Sequence, residues 1–136
     1  MNKLYVLTIA LIVVITVGFL LFYCDENTVN KRFLATYGIE ISAEPTAFEE
    51  LQIPKEFDEM YENYNFLQIQ SGLNLSPHKG KRAVRYTYRV LNAPKELECE
   101  LYANVICINH RPVAGDINCP ALAGFIEPLT FLQLHY

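Results

Sequence analysis

The feature that most constrains this chain is an uncharged apolar run near its N-terminus. Residues 4–24, LYVLTIALIVVITVGFLLFYC, contain no charged side chain. As a helix this run is about 31 Å long at ~1.5 Å per residue, which matches the ~30 Å hydrocarbon core of a bilayer. Lys3 precedes the run and Asp25 follows it, and a positive flank is retained in the cytoplasm. The run therefore predicts a transmembrane signal-anchor helix within residues 1–24, with the rest of the chain on the extracytoplasmic side of the cell membrane.

Two alternatives to an uncleaved membrane anchor are open. One is a cleaved signal peptide, although the run is longer than a typical apolar signal region and no small-x-small cleavage pattern follows it. The other is lipidation of Cys24, for which Leu21 suits the position three residues earlier, whereas Phe22 and Tyr23 are bulkier than the residues usual there. A buried core helix is disfavoured, because the remaining residues could hardly cover so uniformly apolar a segment.

The charge balance of residues 25–136 excludes some classes of partner. Of the 11 Lys and Arg residues only Lys3 precedes this region, so 10 basic residues face 15 acidic ones, a balance of −5. An acidic region of this kind argues against binding to nucleic acid and against docking on anionic lipid headgroups.

Residues 25–126 predict an extracytoplasmic α+β domain, and residues 127–136 a C-terminal tail. Two segments have helical periodicity: the first ends at Gly38, and the second begins at Pro54 and ends at Gly72. The apolar face of the second helix comprises Phe57, Met60, Tyr61, Tyr64 and Leu67. Segment 46–53 predicts an extended edge, and 121–125 a short turn of helix.

From residue 84 the hydrophobic period changes to two, which predicts strands over 84–91, 98–108 and 113–117. The sequence NHR, Asn109 to Arg111, fits a tight hairpin turn between the last two strands. Gly115 in a strand indicates a bulge or a close backbone approach. The sum is two helices packed on one face of a three- to four-stranded antiparallel sheet.

Five pieces of the outer region occur in a characteristic order and spacing: FLATYGIEI, IPKEFDEMYENYNFLQ, GLNLSPHKGKRAVRYTYRV, LYANVICIN and VAGDINCPALAGF. In this the chain resembles a family of small membrane-anchored or secreted proteins of clostridial-type Gram-positive bacteria, which carry a domain of unknown function. The resemblance covers about Phe33 to Phe125. It implies an anchor or signal followed by this domain, and it carries over no activity and no catalytic residue.

The cysteines leave two alternatives open. Cys99 and Cys107 are eight residues apart on one predicted strand, about 26 Å at ~3.3 Å per residue, so they cannot bridge each other. If the chain turns near residue 110, facing residue numbers sum to about 220, and a bulge at Gly115 could bring Cys99 to Cys119. The alternatives are a Cys99–Cys119 disulfide and buried reduced thiols.

Evidence for catalysis is weak in this sequence. His78, His110 and His135 are scattered and show no metal-ligand spacing, so we expect no metal site and no cofactor. Cys119 precedes a predicted helical turn and is a weak candidate nucleophile, with Asp116 as its weak candidate partner.

A polar sheet face is the stronger candidate for function. Arg85 and Arg89 share one face of the first strand, and Tyr102 and Asn104 can point the same way on the next strand. These residues predict a binding surface, although ordinary cross-strand pairs would also explain them. We therefore expect a non-enzymatic binding or accessory module of the cell envelope whose partner is an envelope protein or a small ligand. The alternative is a thiol-dependent envelope enzyme that uses Cys119 and Asp116. A third possibility is a structural accessory of a membrane complex, with contacts through Thr16 and Gly18.

Overall fold

The computed structural model describes residues 2–22, 25–121 and 123–136. Along the chain the elements are α1 (Lys3–Phe22), α2 (Glu26–Ala35), β1 (Ala47–Gln52), α3 (Glu59–Gln70), β2 (Arg82–Arg89), β3 (Tyr102–Ile108), β4 (Arg111–Cys119), β5 (Phe125–Glu127) and α4 (Phe131–His135). Helices packed against an antiparallel sheet make this an α+β domain, the class that the sequence predicts.

The described strands form one antiparallel sheet in the order β1-β2-β3-β4-β5. The prediction of three to four strands is therefore wrong. The predicted extended edge is β1, which pairs with β2 along its whole length. The further strand is β5, which pairs with Ile117–Cys119 of β4. It begins at Phe125, the last residue of the segment predicted as a turn of helix. Pro120 ends β4 because proline cannot donate a ladder hydrogen bond, and the chain then returns along the edge of β4.

The helices lie on both faces of the sheet, whereas the sequence predicted them on one face. α2 packs on the face that contains Val105 and Cys107 of β3. α3 packs on the other face, over Ile106 and Ile108. β3 is apolar on both sides, as expected of a central strand that is buried on both faces. Both faces therefore need a cover, which α2 provides on one face and α3 on the other.

The turn between β3 and β4 is the tight hairpin that the sequence predicts. Asn109 and His110 connect the strands, with φ angles of 49° and 64°, the left-handed conformation that a two-residue hairpin turn requires. Asn104 faces Asp116 across the ladder, so the residue numbers sum to 220 as predicted. This register decides which side chains meet at the centre of the sheet.

Gly115 marks a close approach and not a bulge. The register shift between β3 and β4 lies between Ile106 and Cys107. A Cβ atom on Gly115 would lie 2.7 Å from the carbonyl oxygen of Asn104 and 3.0 Å from Cδ1 of Leu129. Only glycine fits the strand at this point.

α3 begins at Glu59, later than the start predicted at Pro54. Asp58 is the N-cap residue, and its Oδ1 accepts a hydrogen bond of 2.9 Å from the backbone N–H of Tyr61. This cap satisfies one of the N–H groups that a helix start leaves without a partner. Met60 is 67% exposed, although the sequence assigned it to the apolar face.

α1 occupies most of the run that predicted a membrane anchor. In the described part of the chain, no helix is both long enough and apolar enough to cross a membrane. The prediction of a transmembrane signal-anchor helix within residues 1–24 is therefore wrong. Tyr23 and Cys24, with the lipidation alternative, lie outside the described residues.

The last ten residues, predicted as a tail, contribute to the core on the α2 face. Leu129 is fully buried and Leu132 of α4 is nearly so. The Phe131 ring packs against that of Phe125, with 5.5 Å between their centroids. These contacts join the C-terminus to the sheet.

Candidate functional site

A cleft of about 240 Å³ lies between α3 and the sheet face that α3 covers. Tyr61 and Tyr64 form its aromatic side, and Arg85, Asn104 and Asp116 are its polar members. The rest of the lining is apolar and consists of Leu51, Ile53, Met60, Leu75, Ile106 and Ile126. Small-molecule sites have this composition, with a mostly apolar wall and a few polar groups that orient the ligand.

Asp116 is the centre of a hydrogen-bond network at the polar end of the cleft. Its side chain is only 4% exposed. The Tyr64 hydroxyl donates to Oδ2 at 2.6 Å, and the Asn104 amide Nδ2 donates to Oδ1 at 3.0 Å. The Thr87 hydroxyl in turn donates to Oδ1 of Asn104 at 2.7 Å. Both carboxylate oxygens are thus held by neutral donors.

The strand register builds most of this network. Thr87 faces Asn104 in the β2–β3 ladder, and Asn104 faces Asp116 in the β3–β4 ladder. The three side chains therefore form a single row across three strands, on the face that α3 covers. Tyr64 reaches this row from the helix above it.

Two buried polar side chains fix α3 over the cleft. Oδ1 of Asn65 accepts a hydrogen bond of 2.6 Å from the backbone N–H of Leu75. Oε1 of Gln68 accepts one of 2.8 Å from the backbone N–H of Gly115. Both bonds satisfy buried backbone donors, whose loss would be costly. They set the position of Tyr64 relative to the sheet.

The protonation behaviour of the network follows from its burial. Burial raises the pKa of the Asp116 carboxyl, and the hydrogen bonds from Tyr64, Asn104 and Asn118, with the charge of Arg85, oppose this rise without cancelling it. Burial also raises the pKa of the Tyr64 hydroxyl well above its usual range, and the nearby Asp116 adds to this effect. Tyr64 therefore stays protonated and remains a donor to Asp116.

The four predicted binding residues share this sheet face but fall in two groups. Arg85 and Asn104 line the cleft, whereas Arg89 and Tyr102 are not among its lining residues. The Arg89 guanidinium lies 3.4 Å from Glu100, and the Tyr102 hydroxyl donates to the same carboxylate at 3.1 Å. Arg89 and Tyr102 thus form an exposed cluster around Glu100, outside the cleft.

The two weak catalytic candidates are not brought together. Asp116 and Cys119 are three residues apart on β4, so their side chains point to opposite faces of the sheet. Cys119 belongs to the core on the α2 face. The structure pairs its sulfur with that of Cys99, with 6.2 Å between the Cα atoms. Cys99 precedes β3 and reaches Cys119 from the connection between β2 and β3.

A larger open depression, of about 480 Å³, lies near the β3–β4 turn. Glu26 borders it, accepts a hydrogen bond from the Tyr86 hydroxyl and contacts the imidazole of His110. Burial raises the pKa of the neighbouring Cys107 thiol to about 12, and this thiol donates to Oδ1 of Asn30 at 3.2 Å. A thiol that stays protonated at neutral pH is not an activated nucleophile. The depression is therefore a weaker candidate site than the cleft at Asp116.

Metal-ligand clusters are not found over residues 2–22, 25–121 and 123–136, where no three His, Cys, Asp or Glu side chains come together in a group that could hold an ion. The polar members of the cleft are a carboxylate, an amide, a guanidinium and two hydroxyls. These groups suit hydrogen bonding and charge recognition of an organic ligand.

Residues 33–116 match the family described as a domain of unknown function, DUF4830. This range runs from α2 to Asp116 and covers more than half of the 136-residue chain. The chain belongs to this family. The DUF4830 range contains all four members of the network at Asp116, whereas Cys119 lies beyond its end. No curated protein and no solved structure matches the chain.

Two members of this DUF4830 site, Tyr64 and Thr87, were not among the predicted binding residues, although Thr87 lies on the same predicted strand face as Arg85. The predicted pairing sum of 220 places Asn104 opposite Asp116, and a signal for the row across the sheet was therefore present. Tyr64 gave no such signal, because the helical pattern assigned its ring to the core and left its hydroxyl without a partner.

Proposed function

We propose that this DUF4830 domain is a non-enzymatic binding module whose cleft between α3 and the sheet takes a small organic ligand with an apolar body. The observation that carries the proposal is the buried carboxylate of Asp116 at the polar end of an otherwise apolar cleft. An ionisable group buried beside open apolar space costs free energy unless something compensates it. Such groups concentrate at functional sites.

The apolar walls and the hydrogen-bond network at Asp116 contact different parts of the ligand. Side chains such as Ile53, Leu75 and Ile106 bury the body of the ligand, which supplies most of the binding free energy. Asp116 and Asn104 orient its polar end. A fixed network is well suited to this because its donors and acceptors are held in place before the ligand arrives.

The alternative, a thiol-dependent enzyme that uses Cys119 and Asp116, receives no support from the geometry. Cys119 points to the other face of the sheet and is paired with Cys99. Neither residue offers the other the hydrogen-bond contact that an activated nucleophile needs.

An extracytoplasmic location and a role in the cell envelope belong to the same proposal. The pairing of Cys99 with Cys119 supports the location, because disulfides persist mainly in oxidising compartments. Occurrence of the family in clostridial-type Gram-positive bacteria stays a prediction.

The proposal is tested by blocking the cleft from its mouth. Ile126 lines the cleft and is 59% exposed, so Ile126→Trp can fill the space without disturbing the core. Leu91→Trp is the matched control, because Leu91 is 54% exposed and is not a lining residue. Hexan-1-ol is titrated into the ¹⁵N-labelled full-length protein. We expect saturable shifts of the Asn104 and Asp116 amides in the wild type and in L91W, and their loss in I126W. Equal binding by I126W and L91W would exclude this cleft as the site.

A further inference from the structure

We infer that the ligand of this cleft carries a protonated amine and that Asp116 receives its ammonium group. This inference rests on the proposed function and adds the chemical class of the ligand. It follows from which charges in the cleft are paired and which are not.

Asp116 has no cationic partner within the described part of the chain. The ion pairs there join Arg85 to Glu49, Arg89 to Glu100 and His110 to Glu26. Buried carboxylates are normally paired with a cation as well as hydrogen-bonded. Asp116 has the hydrogen bonds but lacks the cation.

The carboxylate retains the capacity to accept a cationic donor. Each oxygen of an ionised carboxylate has about two acceptor positions. Oδ2 uses one for the Tyr64 hydroxyl and Oδ1 uses one for the Asn104 amide, and the hydrogen bond from Asn118 takes a third. An ammonium group brings one positive charge, and one of its three N–H groups can donate to the acceptor position that remains.

The charge of Arg85 lowers the pKa of Asp116, but Arg85 makes its ion pair with Glu49 and not with Asp116. Its guanidinium lies 2.5 Å from a carboxylate oxygen of Glu49, and the two side chains are 42% and 60% exposed. Arg85 is therefore a neutralised residue at the outer part of the cleft, whereas Asp116 is buried at the inner part. A carboxylate ligand would have to compete with Glu49 for Arg85 and would be repelled by Asp116.

The walls of the cleft favour an organic ammonium over a bare cation. Tyr61 and Tyr64 present aromatic rings, whose faces attract ammonium groups. The adjoining apolar side chains can bury a hydrocarbon chain attached to the amine. An alkyl or aryl amine can place its ammonium group at Asp116 and the aromatic rings, and its hydrocarbon part against the apolar side chains.

Three probes with the same six-carbon chain test the inference: hexylamine, hexan-1-ol and hexanoate, titrated by calorimetry into the full-length protein at pH 7.5. We expect hexylamine to bind about tenfold more tightly than hexan-1-ol, since hydrogen bonds to charged groups are the stronger ones, and hexanoate to bind most weakly. Asp116→Asn should lose the preference for the amine. Glu62→Gln is the control for general electrostatic attraction, because Glu62 is exposed on α3 and is not a lining residue of the cleft, and it should keep that preference.

The outcomes separate this inference from the proposed function. Equal affinities of hexylamine and hexan-1-ol, both abolished by I126W, would leave the binding cleft in place and overturn the amine. Tightest binding by hexanoate would overturn the amine in favour of an acid at Arg85. Saturable binding of none of the three would overturn both. The ratio of affinities in the wild-type protein decides among these even if D116N fails to fold.

Discussion

The Tyr64 hydroxyl donates a hydrogen bond of 2.6 Å to Oδ2 of Asp116, and this bond joins α3 to the central part of the sheet. The two residues are 52 positions apart in the sequence. One is on the helix that covers the cleft, and the other is on the strand that forms its polar end. The bond therefore holds the Asp116 carboxylate in place and also sets the distance between α3 and the sheet. Changes at either residue should affect both the stability of the domain and ligand binding.

Asp116→Asn should weaken the pH dependence of stability. The pKa of Asp116 is raised in the folded protein, so the folded state keeps this proton at pH values where the unfolded chain has lost it. The contribution of Asp116 to the free energy of unfolding is then largest below its usual pKa and falls as the pH rises through the raised pKa. Urea denaturation of D116N between pH 4 and pH 7 should show less loss of stability than the wild type.

Asp116→Ala is the informative comparison for that experiment. It leaves the Tyr64 hydroxyl and the Asn104 amide without their acceptor, which should lower the free energy of unfolding by about 2–4 kcal/mol. Asparagine can still accept from Asn104 and should cost less. If D116N and the wild type have the same dependence on pH, Asp116 does not titrate as its burial implies.

Tyr64→Phe should remove one donor from Asp116 while it keeps the ring in the cleft. We expect a loss of about 1–2 kcal/mol in the free energy of unfolding, and a further rise in the pKa of Asp116, because the hydrogen bond from Tyr64 lowers it. The measurement is chemical denaturation combined with ¹³C detection of the carboxyl titration.

Tyr61→Phe is the matched control, one turn earlier on the same helix and in the same cleft. Its hydroxyl makes no hydrogen bond to the residues that the structure describes, so we expect a change within about 0.5 kcal/mol. Equal effects of Y61F and Y64F would show that the bond to Asp116 contributes nothing specific.

The pairing of the site residues on the strands could be predicted from the sequence, whereas the position of α3 over them could not. A period of two, with the NHR turn, predicts which residues face each other, and Asn104 does face Asp116. Periodicity also shows which side of a helix is apolar, but it does not show which face of a sheet that side will cover. α3 therefore could not be placed over the Asn104–Asp116 row.

Buried polar residues explain why the buried face of α3 was predicted incorrectly. Asn65 and Gln68 interrupt its apolar pattern, and they are buried because they accept hydrogen bonds from the backbone of Leu75 and Gly115. Those partners are distant in sequence and known only from the fold. The start of the helix was misplaced because the N-cap bond of Asp58 defines the first turn, whereas Pro54 is merely compatible with one.

Gly115→Ala should destabilise the domain although the added group is a single methyl. The new Cβ would lie 2.7 Å from the backbone oxygen of Asn104, and backbone within a paired strand cannot move away without loss of ladder bonds. We expect a loss of about 2–3 kcal/mol, in the range of overpacked cores, measured by thermal and urea unfolding. Gly18→Ala is the control, since nothing lies within 4 Å of its added Cβ. A G115A protein as stable as G18A would contradict the close approach.

The disulfide between Cys99 and Cys119 is testable by mass. The chain has four cysteines. Alkylation of the unfolded protein before and after reduction should differ by two alkyl groups in the wild type and by none in the Cys99→Ser, Cys119→Ser double variant. Because the two residues are 20 positions apart, the chain-entropy relation gives a loss of about 3 kcal/mol on removal of the bridge.

Cys107→Ala controls for the loss of a buried thiol as such. Cys107 is buried and free, and its thiol contacts Asn30 and no other sulfur in the described residues. A reductant should therefore lower the unfolding temperature of the wild type and of C107A by the same amount, and should leave the double variant unchanged. Equal alkylation of the wild type before and after reduction would show two reduced thiols at Cys99 and Cys119. It would also remove the support that this pair gives to an extracytoplasmic location, because reduced thiols are as compatible with a reducing compartment as with an oxidising one.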